Sequence, residues 1–177
     1  TNDQGDFFFL CRRDGERTLS TVVELCKTRL PDHMGIPADQ IQVLTPTRKG
    51  PSGTENLNRC LQAALNPPRP ERGEKKHGSF TFRVGDRVMQ IKNNYQIEWE
   101  VRNRYGIPVD KGEGVFNGDT GIIRSINSFA ETMEVEFDER RMVEYSFKQL
   151  EELELAYAVT VHKSQGSEFD AVVLALS

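Results

Sequence analysis

The richest chemistry in the sequence lies in AYAVTVHKSQGSEFDAVVLAL, residues 156–176. Two apolar runs bracket a polar stretch that holds a hydroxyl, an imidazole, a lysine, an amide, a glycine and a carboxylate. If both runs are strands of one parallel sheet, this stretch leaves the carboxyl end of the first strand, where open α/β sheets bind their ligands. Thr160 and His162 then stand at the strand end and present donors outward. Gly166 has no Cβ, so backbone amides around it can approach a phosphate closely. Glu168 cannot favour a phosphate, but it can accept hydrogen bonds from ribose hydroxyls.

The surrounding elements must hold that stretch in place. DFFFLC, residues 6–11, is a short apolar run suited to a buried strand. Residues 18–30 carry Leu19, Val22, Val23, Leu25, Cys26 and Leu30 near helical spacing, and Pro31 is expected to end that helix. IQVLT, residues 41–45, reads as a second buried strand, and a strand–helix–strand path of this length favours parallel pairing with a right-handed crossover. After a Gly/Pro-rich loop at 46–53, Thr54 is expected to cap a helix whose apolar face is Leu57, Cys60, Leu61, Ala64 and Leu65.

The texture changes at PPRPERGEKKHGS, residues 67–79, read as a linker because of its prolines and charges. Beyond it come short alternating strands at 82–91, 118–126, 132–138 and 141–147, broken by one polar excursion near 93–114. The α/β texture returns from Leu153. The expected fold is therefore α/β: a parallel sheet with helices, made of residues 1–66 and 151–177, interrupted by a small all-β SH3-type barrel at 80–150.

Composition narrows the function classes. Hydrophobic residues at 37% and charged residues at 28% describe a globular protein, and no apolar run approaches the roughly 20 residues of a membrane helix. The opening residues lack the features of a signal peptide, so the cytoplasm is the expected compartment. Cys11, Cys26 and Cys60 are odd in number and form no CxxC pair, which points to reduced thiols and not to a zinc site. The net charge of −4 does not by itself suggest nucleic acid, but the charge is uneven. Residues 75–111 hold eight Lys or Arg against four acids, whereas residues 131–154 hold nine acids against three bases. One part of the surface is suited to phosphate, or the two parts are simply differently solvated faces.

Residues 156–176 resemble motif V of superfamily 1 helicases. QVLTPTRKGPSGTENLNRCLQAALNPP resembles motif IV and the following helix of the RecD-like branch, and FRVGDRVMQIKNNY and GVFNGDTG resemble the signatures of its inserted barrel. The resemblance runs from about Asp6 to Ala175. It implies an ATP-dependent DNA helicase moving 5′ to 3′, similar to the exodeoxyribonuclease V alpha subunit and serving DNA repair or recombination. It also implies that the α/β part is a second RecA-like motor domain, that Thr160 and His162 contact the backbone of bound single-stranded DNA, that Gln165, Gly166 and Glu168 face the nucleotide, and that Thr45 and Arg48 in the motif IV loop serve DNA phosphate, nucleotide or both. Asn93, Asn94 and Tyr95 read either as a turn with an aromatic lid or as a strand-separating or DNA-guiding contact, with Asn94 and Tyr95 the candidate DNA-binding residues.

The P-loop pattern GxxxxGK[ST] is absent from the 177 residues, as is an acidic pair after an apolar strand placed to hold magnesium. The resemblance assigns these to a first motor domain, and the transition-state arginine of motif VI to residues after Ser177. The sequence is accordingly expected to be a piece of a longer protein, inactive alone, whose parent uses ATP and Mg2+. Its implied partners are single-stranded DNA, duplex junctions, its own N-terminal motor domain and nuclease subunits. Two other readings stay open: a helicase of the Pif1 type, which shares HKSQG, GDRVM and NGxxG elements, and a non-enzymatic module whose barrel recruits a nucleic acid or protein.

Overall fold

The computed structural model describes residue 10, residue 12 and residues 14–163 and 169–176. Most of the expected strand at 6–11 lies outside the described residues.

Helix α1 (Gly15–Glu24) starts where Asp14 caps it, the Asp14 carboxylate accepting from the Arg17 amide at 2.8 Å. It does not stop at Pro31. A π-type turn at Leu25–Arg29 widens the backbone, and the chain continues as α2 (Leu30–Met34) to a left-handed Gly35. Proline falls in the first turn of α2, where its missing amide is least costly. Val22 and Cys26 point into the core.

Strand β1 (Ile41–Thr45) is central to a three-stranded parallel sheet of order β11–β1–β12, with β11 at Ala158–Thr160 and β12 at Ala171–Leu174. Val43 aligns with Ala158 on one side and Val173 on the other. The expected α/β class with a parallel sheet is what the chain adopts. Thr54 is the first residue of α3 (Thr54–Leu65) and not its cap; Gly53 holds that place. Its neighbours explain why: the loop folds so tightly over Gly53 that a Cβ there would lie 2.4 Å from the Lys49 carbonyl oxygen.

Strands β2 (Glu74–His77) and β3 (Phe80–Arg83) form a hairpin, so the expected linker is strand over part of its length. The expected strand at 82–91 is two strands. β3 ends at Arg83 and β4 (Arg87–Gln90) follows a turn at Gly85, whose φ of +97° suits glycine. The polar excursion is ordered as well: β5 (Asn94–Arg102) and β6 (Pro108–Val115) make a long antiparallel hairpin. It reads as polar because most of its side chains face solvent, which conceals the alternation. Where the hairpin twists, the Trp99 indole lies against Gly112 so closely that a Cβ there would stand 2.3 Å from the ring.

Strands β7 (Thr120–Asn127), β8 (Thr132–Phe137) and β9 (Met142–Ser146) complete the meander, and β10 (Leu153–Leu155) returns beside β4. The resulting seven-stranded antiparallel sheet has the order β10–β4–β7–β8–β9–β5–β6. The parallel strands therefore resume at Ala158 and not at Leu153. One apolar cluster runs without a break from Val22, Ile41 and Leu57 through Phe82 and Val88 to Val135 and Tyr145. No described helix is long and apolar enough to cross a membrane.

Candidate nucleic-acid interface

The site is built where β11 ends beside the β6–β7 turn. Thr160, partly exposed, closes β11 in register with Thr45 of β1, and exposed His162 follows in a short 3-10 turn. Lys163 reaches across to the antiparallel sheet, its Nζ donating to the Asn117 side-chain oxygen. Asn117 in turn donates its amide to the Asn93 side chain at 2.9 Å, and Asn93 Nδ2 lies 3.4 Å from the Tyr95 hydroxyl.

A buried polar set fixes the Asn93–Tyr95 turn. Tyr145 donates its hydroxyl to Gln90, Gln90 donates to Glu152 at 2.8 Å, and Asn94 donates to the same carboxylate at 3.0 Å. The Asn94 oxygen accepts from the Gln96 and Ile97 amides, which turns the chain so that Tyr95 faces out. Burial and the nearby Glu152 and Asp119 carboxylates push the Tyr145 phenol up, so it stays a donor. Tyr95, 67% exposed, meets Phe116 edge-on at 5.4 Å, and Phe116 is itself 41% exposed. Two neighbouring rings open to solvent beside a lysine and an exposed histidine can stack on bases while cations meet phosphates.

The residues singled out in the sequence divide accordingly. His162 and Tyr95 are exposed and Thr160 partly so. Asn94 is committed to the turn. Thr45 is fully buried, and its hydroxyl donates to the Ser52 carbonyl at 2.8 Å, so it shapes the 46–53 loop and offers nothing outward. Arg48 lies at the surface in an ion pair with Glu154 at 2.7 Å, and that hydrogen bond raises the guanidinium further. Gln165, Gly166 and Glu168 lie outside the described residues. Phe169 is only partly buried, with the Arg87 guanidinium 5.5 Å from its ring centre, so it is not the core plug its type suggests. A cavity of about 140 Å³ opens between Leu44 and Val159 of the parallel sheet and Thr120 of the antiparallel one. That is well below the roughly 300 Å³ at which small-molecule sites begin.

Sequence reasoning missed Phe116 as the partner of Tyr95, and the Lys163–Asn117–Asn93 chain of contacts that leads to it. The signal was available, because NNY and FNGD are polar turns flanked by aromatics, but their adjacency depends on the β5–β6 hairpin closing.

Comparison with known proteins follows the same division. Residues 57–137 match the SH3 domain of ATP-dependent RecD-like DNA helicases, and residues 155–176 match the UvrD-like helicase C-terminal domain. The chain is similar to the ATP-dependent RecD2 DNA helicase of Deinococcus radiodurans, with 37% identity over 133 residues covering 75% of this chain and 16% of that protein. It is similar also to the RecBCD enzyme subunit RecD of Mycolicibacterium smegmatis, with 28% identity over 145 residues covering 78% of this chain and 20% of that one. Among solved structures, a Bacteroides Pif1 bound to single-stranded DNA aligns at a TM-score of 0.46 and 20% identity, over 77% of this chain and 34% of that one.

These matches define the class as DNA helicases of the RecD-like and UvrD-like kind, to parts of which the chain is similar. Within that class the similarity is to the RecD-like helicases, through their SH3 domain, and the chain spans about a fifth or less of the length of these two curated relatives.

Proposed function

We propose that the full-length protein is an ATP-dependent DNA helicase that binds single-stranded DNA, moves 5′ to 3′ and opens duplex junctions in DNA repair or recombination in the cytoplasm. The similarity to ATP-dependent helicases supports nucleotide use. The observation that carries the DNA assignment is the convergence of His162 and Lys163 with the antiparallel sheet on one surface through Lys163, Asn117 and the Tyr95–Phe116 pair. Thr160, His162 and Lys163 meet the backbone of a bound strand, and Tyr95 and Phe116 stack on its bases. Arg48 lies at the surface with its charge shared with Glu154. Gln165, Gly166 and Glu168 face the nucleotide held against the N-terminal motor domain. Magnesium accompanies the nucleotide phosphates, and no residue of this chain is assigned to it. Closure of the cleft on ATP and its opening after hydrolysis then alternate the grip on the strand. Similarity to RecD supports nuclease subunits as further partners.

The test is single-stranded DNA affinity of full-length protein carrying Tyr95→Ala or Phe116→Ala. Stacking contributes about 1–3 kcal/mol per base, so each variant binds roughly 5- to 150-fold more weakly. Because these contacts are not ionic, the dependence of affinity on salt stays as in the wild type. Unchanged affinity in both variants refutes the stacking assignment.

A further inference from the structure

We propose that Asp86 is a positioning residue, the hub of a hydrogen-bonded joint that locks the antiparallel sheet to α3 and the parallel sheet so that the two move as one body. The proposal deepens the helicase reading and rests on it.

The joint begins with a stripe on α3. Asn58 and Gln62 lie four residues apart, and Asn66 follows four further on at the helix end, so all three face one side. All three are buried, next to Leu57 and Leu61. Such amides weaken a core unless each finds partners, and here the partners lie on the chain segments entering or leaving the antiparallel sheet. Asn58 Nδ2 donates to the carbonyls of Leu155 and Ala158, both at 3.0 Å, and its oxygen accepts from the Ala158 amide at 2.8 Å. Gln62 donates to the Thr81 carbonyl at 2.6 Å and Asn66 to the Val84 carbonyl at 3.1 Å.

Asp86 gathers the stripe. It is fully buried, and its two oxygens accept four hydrogen bonds of 2.7–2.8 Å. Asn66 Nδ2 and the Tyr157 hydroxyl meet one oxygen, and Gln62 Nε2 and the Arg83 amide meet the other. The donors come from α3, from the turn into β4 and from the strand exit at 157, so the carboxylate ties three segments at a point. Next to it, buried Arg87 donates to the carbonyls of Ile41 at 2.9 Å, at the start of β1, and Ala38 at 3.2 Å, in the turn before it. The apolar cluster passes through the same seam without interruption. A domain that swings on a hinge needs a seam it can leave, and this one would expose a carboxylate, a guanidinium and three amides at each excursion. The joint therefore fixes the Tyr95–Phe116 pair relative to Thr160 and His162 at the end of β11, so that movement of the parallel sheet carries the bases with it.

The experiment uses full-length protein with Cys11 and Cys60 replaced by Ser and spin labels at Lys27→Cys on the motor side and Glu144→Cys on β9, both exposed positions. Pulsed dipolar spectroscopy is expected to give one narrow distance that does not change on adding oligo-dT or a non-hydrolysable ATP analogue. Asp86→Asn keeps the shape but presents an amide NH2 to two donors. It is expected to broaden the distance and to lower base pairs opened per ATP about 10-fold, while DNA-stimulated ATPase per folded molecule changes less than about 2-fold. A merely structural role would lower folded protein and scale both activities together. Should Asp86→Asn fail to fold, Gln62→Ala carries the same expectation at about 3-fold. If neither ATPase nor unwinding is found, the helicase reading fails while the distances still decide the joint. A wild-type distance that splits or shifts with either ligand, or variants that leave distance and coupling intact, overturns the proposal.

Discussion

Replacing Asn58 by alanine tests how much a single amide contributes to this architecture. The side chain is 4% exposed and makes three hydrogen bonds, two from Nδ2 to the Leu155 and Ala158 carbonyls and one from the Ala158 amide to its oxygen. Truncation leaves the Ala158 amide without that acceptor and takes one donor from each of two carbonyls. A buried group left unsatisfied costs about 1–3 kcal/mol, and a carbonyl that keeps a second lone-pair partner loses less, so the sum is about 2–4 kcal/mol. Asn58→Asp is expected to cost more, although it is nearly isosteric. It keeps the acceptor for Ala158 but points a buried carboxylate at two carbonyl oxygens. Burial raises the pKa of such a group above its unfolded value, so the penalty is present at neutral pH and relieved as pH falls through that raised pKa. Urea denaturation of the 177-residue chain at pH 7 and pH 5 measures both variants. A loss below about 0.5 kcal/mol for Asn58→Ala, or an Asn58→Asp variant as stable as the alanine one at neutral pH, refutes the reasoning.

Two further outcomes follow from single contacts. Burial pushes the Cys26 thiol up to about 11, against the opposing pull of Arg87, and the side chain is 2% exposed. Its reaction with an aromatic disulfide reagent at pH 8 should be at least about 100-fold slower than that of partly exposed Cys60 and should quicken as pH rises; equal rates would contradict the buried placement. Gly112→Ala puts a Cβ within 2.3 Å of Trp99, the only tryptophan, so fluorescence should show the indole displaced toward water, with a stability loss of about 1–3 kcal/mol. An unchanged emission maximum would mean that the hairpin does not pack as described.

The strands that carry a clear period were legible, and those that hide it were not. IQVLT and AYAVTV announce buried parallel strands because both faces are covered and the runs are mostly apolar without strict alternation. The β5–β6 hairpin was read as an irregular excursion because nearly every side chain from Gln96 to Glu113 except Ile97 is partly or fully exposed, leaving the period nothing to mark. Pro31 was read as a stop because the rule for proline assumes regular α geometry, which the π-type turn before it removes. In the site, His162 and Tyr95 were identified by type and lie at the surface. Thr45 was chosen by the same reasoning, but a threonine hydroxyl serves a loop carbonyl as readily as a phosphate, and sequence alone does not separate the two.

The polar joint also explains why α3 carries three amides where leucines would bury more apolar surface. Hydrophobic burial is favourable but not directional, so an all-apolar seam holds two units together without fixing their angle. Hydrogen bonds lose strength steeply away from linearity, and four of them converging on one carboxylate leave little rotational freedom. The arrangement is costly: burial raises the Asp86 carboxyl above its ordinary range, and the four donors only oppose that cost. Replacing a buried polar set by well-packed apolar residues is often neutral or stabilising, so stability alone does not account for the stripe. Orientation does on the proposed DNA-binding reading, in which bases stacked on Tyr95 and Phe116 would be displaced usefully only if the surface that holds them keeps a fixed angle to the strand ends at Thr160 and His162.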